Sequence, residues 1–308
     1  IDKENAMSER INLQNTPDSG RTRREPVRFE RGADTLEGLL FLPTTGEAPF
    51  PAVVVTGAWT TVKEQMPGTY ARELAARGFA ALAFDFRGWG ASGGEPRYVE
   101  DPAEKTADIH AAIAYLAGRP DVDAARISGL GICASSGYMA AAAAEGPHLS
   151  KLALVAPWLH DRAMAEQIYG GAAAAAGLIQ QGREASASEE AMTVTAASRT
   201  EEGALMFEAP YYTEPERGLI EAYDNRFNVA SWEPWLSYDG QASADTLTVP
   251  TLIVCSEDAA LPAGAHAYSA RTKAPVSERW LEGVNQFDFY DRADVVRESA
   301  DAVAAHLA

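Results

Sequence analysis

One nine-residue stretch restricts this chain to a narrow set of folds: Gly129-Leu130-Gly131-Ile132-Cys133-Ala134-Ser135-Ser136-Gly137. It stands between an apolar run fit for a strand, Arg126–Leu130, and an alanine-rich helical segment, Ala134–Glu145. A chain that passes from strand to helix in so few residues must turn sharply, with a strained apex and small residues two places before and after it. Around Cys133 those places hold Gly131 and Ser135. Taking Ser135 as the apex would put Cys133 where glycine belongs, a poorer fit. A cysteine at this apex lies at a helix N-terminus, where free N–H groups and the macrodipole favour a thiolate and a developing oxyanion. The dipole is worth roughly 0.3–2 kcal/mol. From a starting pKa near ~8.5 the thiol therefore stays mostly protonated at neutral pH unless it has another partner. The competing reading is a structural cysteine packed at a tight turn.

The surrounding rhythm extends the constraint. Ala52–Thr56, Ala80–Phe84, Arg126–Leu130 and Leu152–Ala156 read as short buried strands, separated by helices at Tyr70–Arg77, Asp101–Ala117 and Ala134–Glu145. Such alternation means βαβ units and a parallel sheet covered on both faces. Val27–Phe29 and Leu36–Phe41 look like two earlier strands joined by the turn-forming Arg31-Gly32-Ala33-Asp34. The rhythm lapses over residues 158–235 and resumes at Thr251–Cys255, a helix over 263–273, Glu278–Leu281 and a closing helix over 294–307. The expected organisation is an arm over 1–26, a core built from 27–157 and 236–308, and a helical cap over 158–235. Residues 1–6, which precede Met7, are read as an artificial leader and set aside.

Charge and composition narrow the partners. A formal charge of −18 with no basic stripe argues against nucleic acid. No run of 18 apolar residues predicts a membrane span. The two cysteines, Cys133 and Cys255, have no metal-ligand spacing, and no signal-peptide pattern is visible, so a reducing, cytoplasmic setting is expected. No metal or cofactor motif is found. The glycines at 88, 90, 93 and 94 lack dinucleotide spacing. An oligomer is neither required nor excluded.

Several motifs together resemble the α/β hydrolases of the dienelactone-hydrolase-like group, and more narrowly the bacterial hydrolases related to fungal polyketide transferases. These are Val53-Val54-Val55-Thr56-Gly57-Ala58-Trp59, Val62-Lys63-Glu64-Gln65-Met66, Phe84-Asp85-Phe86-Arg87-Gly88-Trp89-Gly90-Ala91-Ser92, the stretch around Cys133, Trp158-Leu159-His160-Asp161, Tyr211-Tyr212, Asn225-Arg226-Phe227 and Phe287-Asp288-Phe289-Tyr290-Asp291. The likeness spans roughly 27–308. It implies an α/β-hydrolase fold with a mostly parallel eight-stranded sheet, helices on both faces and a helical cap insertion. It also implies a nucleophile, acid and histidine in that chain order. Carried over, the nucleophile falls on Cys133, the oxyanion-hole N–H groups on Ala134 and Trp59, and the acid on Asp258, with Glu257 the near alternative.

The histidine is missing. Its expected loop reads Glu282-Gly283-Val284-Asn285-Gln286-Phe287-Asp288, with Gln286 in its place. An amide does not titrate and cannot take the thiol proton, though it can donate to a thiolate, hold a water or bind substrate. Of the five histidines, His110, His148 and His306 read as exposed or structural and His266 as helix surface. His160 follows the strand Leu152–Ala156 at the carboxyl edge of the sheet, where ligands bind. It is either a hinge or cap contact or a relocated base. Aromatic residues of the cap, with Tyr211, Tyr212 and Trp232 foremost, are expected to line an apolar pocket for a medium-sized acyl or cyclic substrate.

Three functions fit these residues: an ester-, thioester- or lactone-processing enzyme acting through Cys133, by hydrolysis or acyl transfer; a non-hydrolytic cyclase, lyase or isomerase in the same pocket; and a ligand-binding protein whose catalytic set has decayed.

Overall fold

The computed structural model describes residues 9–16, 20–146 and 149–308. The leader 1–6 and His148 lie outside the described residues. Six strands open the central sheet: β1 (Thr22–Arg31), β2 (Asp34–Pro43), β3 (Phe50–Thr56), β4 (Ala80–Phe84), β5 (Val122–Ile132) and β6 (Leu152–Val155). Their spatial order is β1-β2-β4-β3-β5-β6, continued by Thr251–Cys255 and Val276–Trp280. Only β2 runs against its neighbours; the pairs from β4 to the far edge are parallel. The eight-stranded, mostly parallel sheet is thus the one expected. Its central strands are closed to solvent on both faces, as the unbroken apolar run Ala52–Val55 requires.

The flanking helices are α1 (Met66–Ala75), α2 (Pro102–Ala117), α3 (Ser135–Glu145), Pro262–Arg271 and Ala293–Leu307. Each start and stop has a local cause. Asp101 caps α2 by accepting from the N–H groups of Ala103 and Glu104, with Pro102 pre-set for the first turn. Gly78, at φ 100°, takes the left-handed conformation that lets the chain leave α1 for β4. No helix of the described residues is long and apolar enough to cross a membrane.

Between β6 and Thr251–Cys255 the chain leaves the sheet. The excursion contains helices Arg162–Ile168, Ala172–Ser186 and Trp232–Ser237. It is not purely helical as expected. Thr193–Thr195 pairs with Arg226–Asn228, and Ala197–Ser198 with Met206–Phe207. Strands of two or three residues carry no readable periodicity. The second and third helices pack closely at Gly182, where a Cβ would come within 2.7 Å of the Glu233 backbone nitrogen. The two crossings of the insertion are tied together: Gly240 N–H donates to His160 O at 2.8 Å, and Gln241 Nε2 to Leu159 O at 2.6 Å.

The N-terminal arm is the main correction. β1 already begins at Thr22, and the preceding described residues are docked rather than free. Arg10 bridges Arg292; Ile11 N–H donates to Asp291 O and Ala293 N–H to Glu9 O, both at 2.8 Å. Ile11 is 1% exposed. Asn12 Nδ2 reaches the carbonyls of Glu216 and Arg217 in the insertion. Residues 8–26 are polar and read as an arm of uncertain order, yet one buried isoleucine and a few backbone hydrogen bonds order its first described residues.

Candidate active site

β5 carries the chain into Cys133, whose φ is 57°. A non-glycine residue is held there only when its surroundings over-determine it. Cys133 N–H donates to Val155 O at 3.1 Å, and Cys133 O accepts from Trp158 N–H at 2.9 Å and Ser136 N–H at 3.1 Å. Gly131 permits the turn: a Cβ there would lie 2.7 Å from both Ser135 O and Ser136 Cα. Ser135 is not the apex. Its hydroxyl accepts from Ile132 N–H at 3.2 Å and donates to Ile132 O at 3.1 Å, so it staples the turn.

Cys133 lines a cavity of about 850 Å³. Four groups able to donate stand near its sulfur: the Tyr290 hydroxyl, the backbone N–H groups of Ala134 and Trp59, and the Gln286 amide. Burial pushes the thiol up from its ordinary value, and those four donors offset part of the rise. The thiol is therefore the resting form at neutral pH.

The loop that presents Trp59 is anchored from below. Thr60 sits at φ 63°, its hydroxyl 3.0 Å from Tyr223 Oη and its N–H 3.5 Å from Glu100 Oε2. Glu100 is fully buried. Its other oxygen accepts from Lys105 Nζ at 2.7 Å and from the Tyr138 hydroxyl, on α3, at 2.8 Å. One carboxylate thus joins the loop of Trp59 to the helix that starts beside Cys133. Lys63 Nζ and N–H both reach Asp85, at 2.6 and 2.7 Å, and fix the end of the same loop.

Gln286 stands beside Cys133 as the expected loop would place it, but it is not wired as a base. Its Oε1 accepts from Ala260 N–H at 3.0 Å; its Nε2 donates to Ala156 O at 3.0 Å and to Tyr290 Oη at 2.9 Å. Asp258 lines the cavity, yet its carboxylate has no hydrogen-bond partner among the described residues. The acid and the amide are near one cavity and not linked. Glu257 is exposed and paired with His266 Nε2 at 2.9 Å, outside the cavity.

Three candidates take other places. His160 is a hinge residue, not a relocated base. Its Nδ1 accepts from Trp158 Nε1 and its Nε2 donates to Trp235 O, both at 3.0 Å. Both nitrogens are committed, and burial lowers its pKa from the ordinary value. Tyr211 does not line the cavity; it packs under Tyr290, ring centroids 5.1 Å apart. Trp232 stands behind Trp59, at 6.2 Å, as a second layer. Tyr212 and Trp59 do line the cavity, joined by Trp235, Tyr169 and Tyr290. Among the described residues no imidazole lines it.

Tyr290 is the functional candidate that residue-by-residue reading passes over. It is buried, accepts the Gln286 Nε2 proton, and is within hydrogen-bonding reach of Cys133 and of Tyr212. Gln286 lies in the turn just before the short helix Asp288–Asp291 that carries Tyr290, and the contact is made by the direct hydrogen bond between their side chains.

A mostly parallel sheet is common to many enzymes, but a strained strand-to-helix apex beside two backbone amides, opening on a cavity partly walled by an insertion, defines an α/β hydrolase. Comparison with known proteins takes the assignment one step further. The family model for X-Pro dipeptidyl-peptidase (S15 family) matches residues 32–281. The chain belongs to this family of α/β-hydrolase enzymes. The uncharacterized protein YcjY of Escherichia coli is 30% identical over 270 residues, covering 83% of this chain and 87% of that one. The crystal structure of the hypothetical protein PA2218 from Pseudomonas aeruginosa superposes with a TM-score of 0.82, at 25% identity and 95% coverage of both chains. The resemblance to fungal polyketide transferases also holds. The polyketide transferase of Gibberella fujikuroi is 33% identical over 110 residues, 36% of this chain and 33% of that one.

Proposed function

We propose that the protein moves apolar acyl groups through a covalent thioester on Cys133, taking them from an ester, thioester or lactone. The observation that carries this reading is the position of the sulfur. It stands at a strained apex, opens on a cavity of about 850 Å³, and has the N–H groups of Ala134 and Trp59 near it. An amide pair so placed stabilises the oxyanion of a tetrahedral intermediate without reorganising. The cavity wall is largely apolar and aromatic, with Trp59, Trp158, Leu205, Met206, Tyr212 and Trp235, which suits an acyl chain or ring.

The proton route follows from the hydrogen bonds. Gln286 Nε2 occupies one acceptor site of Tyr290 Oη, which turns the phenol proton toward the other groups in reach, Cys133 Sγ and Tyr212 Oη. In the first step the C–S bond forms, the carbonyl oxygen charges between the two amides, and the bond to the leaving group breaks. The thiol proton passes through the Tyr290 hydroxyl to the departing alcohol or thiol. In the second step an acceptor attacks the thioester, and its proton returns to sulfur by the same hydroxyl.

Among the described residues no imidazole lines the cavity to activate water, so hydrolysis is slow and the acyl-enzyme persists long enough for an alcohol or amine to take the group. The relatives named acyltransferase, thiohydrolase and polyketide transferase support both outcomes. Both cysteines, Cys133 and Cys255, are free and buried. The test is intact mass spectrometry after incubation with p-nitrophenyl hexanoate. One hexanoyl group is expected on the protein and none on Cys133→Ala. No adduct, or one that persists in the alanine variant, would overturn the proposal.

A further inference from the structure

One wall of the cavity carries charge for which the chemistry at Cys133 has no use. Arg10 and Arg217 both line it and meet on one fully buried carboxylate, Asp291. Arg10 Nη1 donates to Asp291 Oδ1 at 2.7 Å; Arg217 donates from Nε to Oδ2 at 2.6 Å and from Nη2 to Oδ1 at 2.9 Å. Arg10 Nη1 also lies 3.5 Å from Asp288 Oδ1, whose other oxygen accepts from Arg292 Nη1 at 3.1 Å. Glu214 Oε2 is 3.9 Å from Arg217 Nη1, too far for a hydrogen bond.

These contacts leave three guanidinium nitrogens without an acceptor among the described residues: Arg10 Nε, Arg10 Nη2 and Arg217 Nη1. None of the three is sealed from solvent, and both residues border this cavity. Their position relative to the sulfur is also fixed. The Tyr211 ring lies 5.1 Å from the ring of Tyr290, the neighbour of Cys133, and 6.0 Å from the Arg217 guanidinium. Arg217 is thus separated from the neighbour of Cys133 by one ring packed beneath the cavity wall, and it borders the same cavity as the sulfur, with the carboxylates of Asp258 and Asp288. Leu205, Met206, Pro210 and Phe287 supply the apolar lining of the same cavity.

We propose that the substrate is an acyl compound with an anionic head group, a carboxylate or a phosphate, held by Arg10 and Arg217 away from the reacting carbonyl. A guanidinium fork matches either anion geometrically. A wholly apolar substrate would leave the three donors to water. The choice of reacting end rests on the Cys133 reading above; the anion site does not.

The test uses the full chain carrying Cys133→Ala, so that binding is measured without chemistry. Calorimetry compares monomethyl suberate with dimethyl suberate, and 4′-phosphopantetheine with pantetheine. In at least one pair the anionic member is expected to bind tenfold tighter or more, and Arg10→Gln is expected to remove the preference while leaving the neutral member unchanged. A response in the carboxylate pair assigns a dicarboxylate-derived acyl group, and one in the phosphate pair a carrier-borne one. Equal binding within both pairs, or a preference that Arg10→Gln leaves intact, overturns the inference. Arg10 is a third exposed at its side chain, so the variant should fold; should its melting curve be lost, Arg10→Lys, which keeps the charge but not the fork, is expected to show a reduced preference and refutes the idea if it shows the full one. Anion binding without acylation of the wild-type thiol would remove the proposed chemistry and leave this site standing.

Discussion

Gln286→His puts an imidazole beside Cys133 in the cavity that Asp258 also lines. The ring would need Nε2 toward Cys133 Sγ and Nδ1–H toward the Asp258 carboxylate, which lines the cavity without a hydrogen-bond partner among the described residues. The change removes three hydrogen bonds: from Ala260 N–H, to Ala156 O and to Tyr290 Oη. At about 1 kcal/mol each, with part recovered by the new pair, the variant should lose about 2–3 kcal/mol of stability. In a chain of this size that lowers Tm by several degrees, and the protein should stay folded. A positioned general base is worth about 10²–10⁴ in rate, or roughly 2.7–5.4 kcal/mol of barrier. The expected result is a rise of that order in p-nitrophenyl ester hydrolysis, followed at 405 nm. The pH profile should gain an inflection near ~6.5, absent from the parent, where the imidazole loses its proton. A folded variant whose rate stays within threefold of the parent between pH 6 and 9 would refute the view that the site lacks only a base.

Three further outcomes follow from the same geometry. Tyr290→Phe takes a donor from the sulfur, so kcat for acylation should fall by roughly 10–150-fold, the worth of a hydrogen bond to a charged group, with KM little changed; an unaltered kcat would remove Tyr290 from the proton route. Gly131→Ala drives a Cβ to 2.7 Å from backbone atoms of the following helix, which should destabilise the protein by about 1–3 kcal/mol or more in urea denaturation; an unchanged midpoint would show that the turn has slack. Asp108 has its pKa raised by burial from 3.8 to about 6, opposed by the Arg87 N–H and by Arg31. The folded state therefore holds the proton more tightly than the unfolded one, and the resulting stability, ~3 kcal/mol, is present below pH ~4 and lost as pH rises through ~6. Asp108→Asn should abolish that fall, and parallel pH–stability curves for the two proteins would contradict it.

The parts of this molecule that could be read in advance are those where one local rule acts alone. Ala52–Val55 had to be a central strand because it is apolar throughout and too short for a helix, and Cys133 had to be an apex because only small residues flank it at ±2. Gln286 was found through the family resemblance, which implies a histidine in the loop after the last strand. What escaped depends on direction or on distant partners. Tyr211 and Tyr212 are adjacent on a four-residue helix, with rings at 90°, so one reaches the cavity and the other goes under Tyr290. Nothing in the pair Tyr-Tyr decides which. His160 was correctly located near the sheet edge, but its two nitrogens are claimed by Trp158 and Trp235, and the second of those contacts spans 75 residues. The docking of Glu9–Thr16 is likewise a long-range affair in a segment whose composition suggests solvent.

That docking sets an order of events. Arg10 and Asp291 are 281 positions apart, and closing a loop of that length before anything else has formed would cost about 5 kcal/mol of chain entropy. The Glu9–Thr16 segment can settle only after the segment around Asp291 has folded beneath it. For the same reason it should be the first to lift under stress or when a bulky fusion is attached beside it, opening the Arg10 wall while the sheet and the apex stay whole.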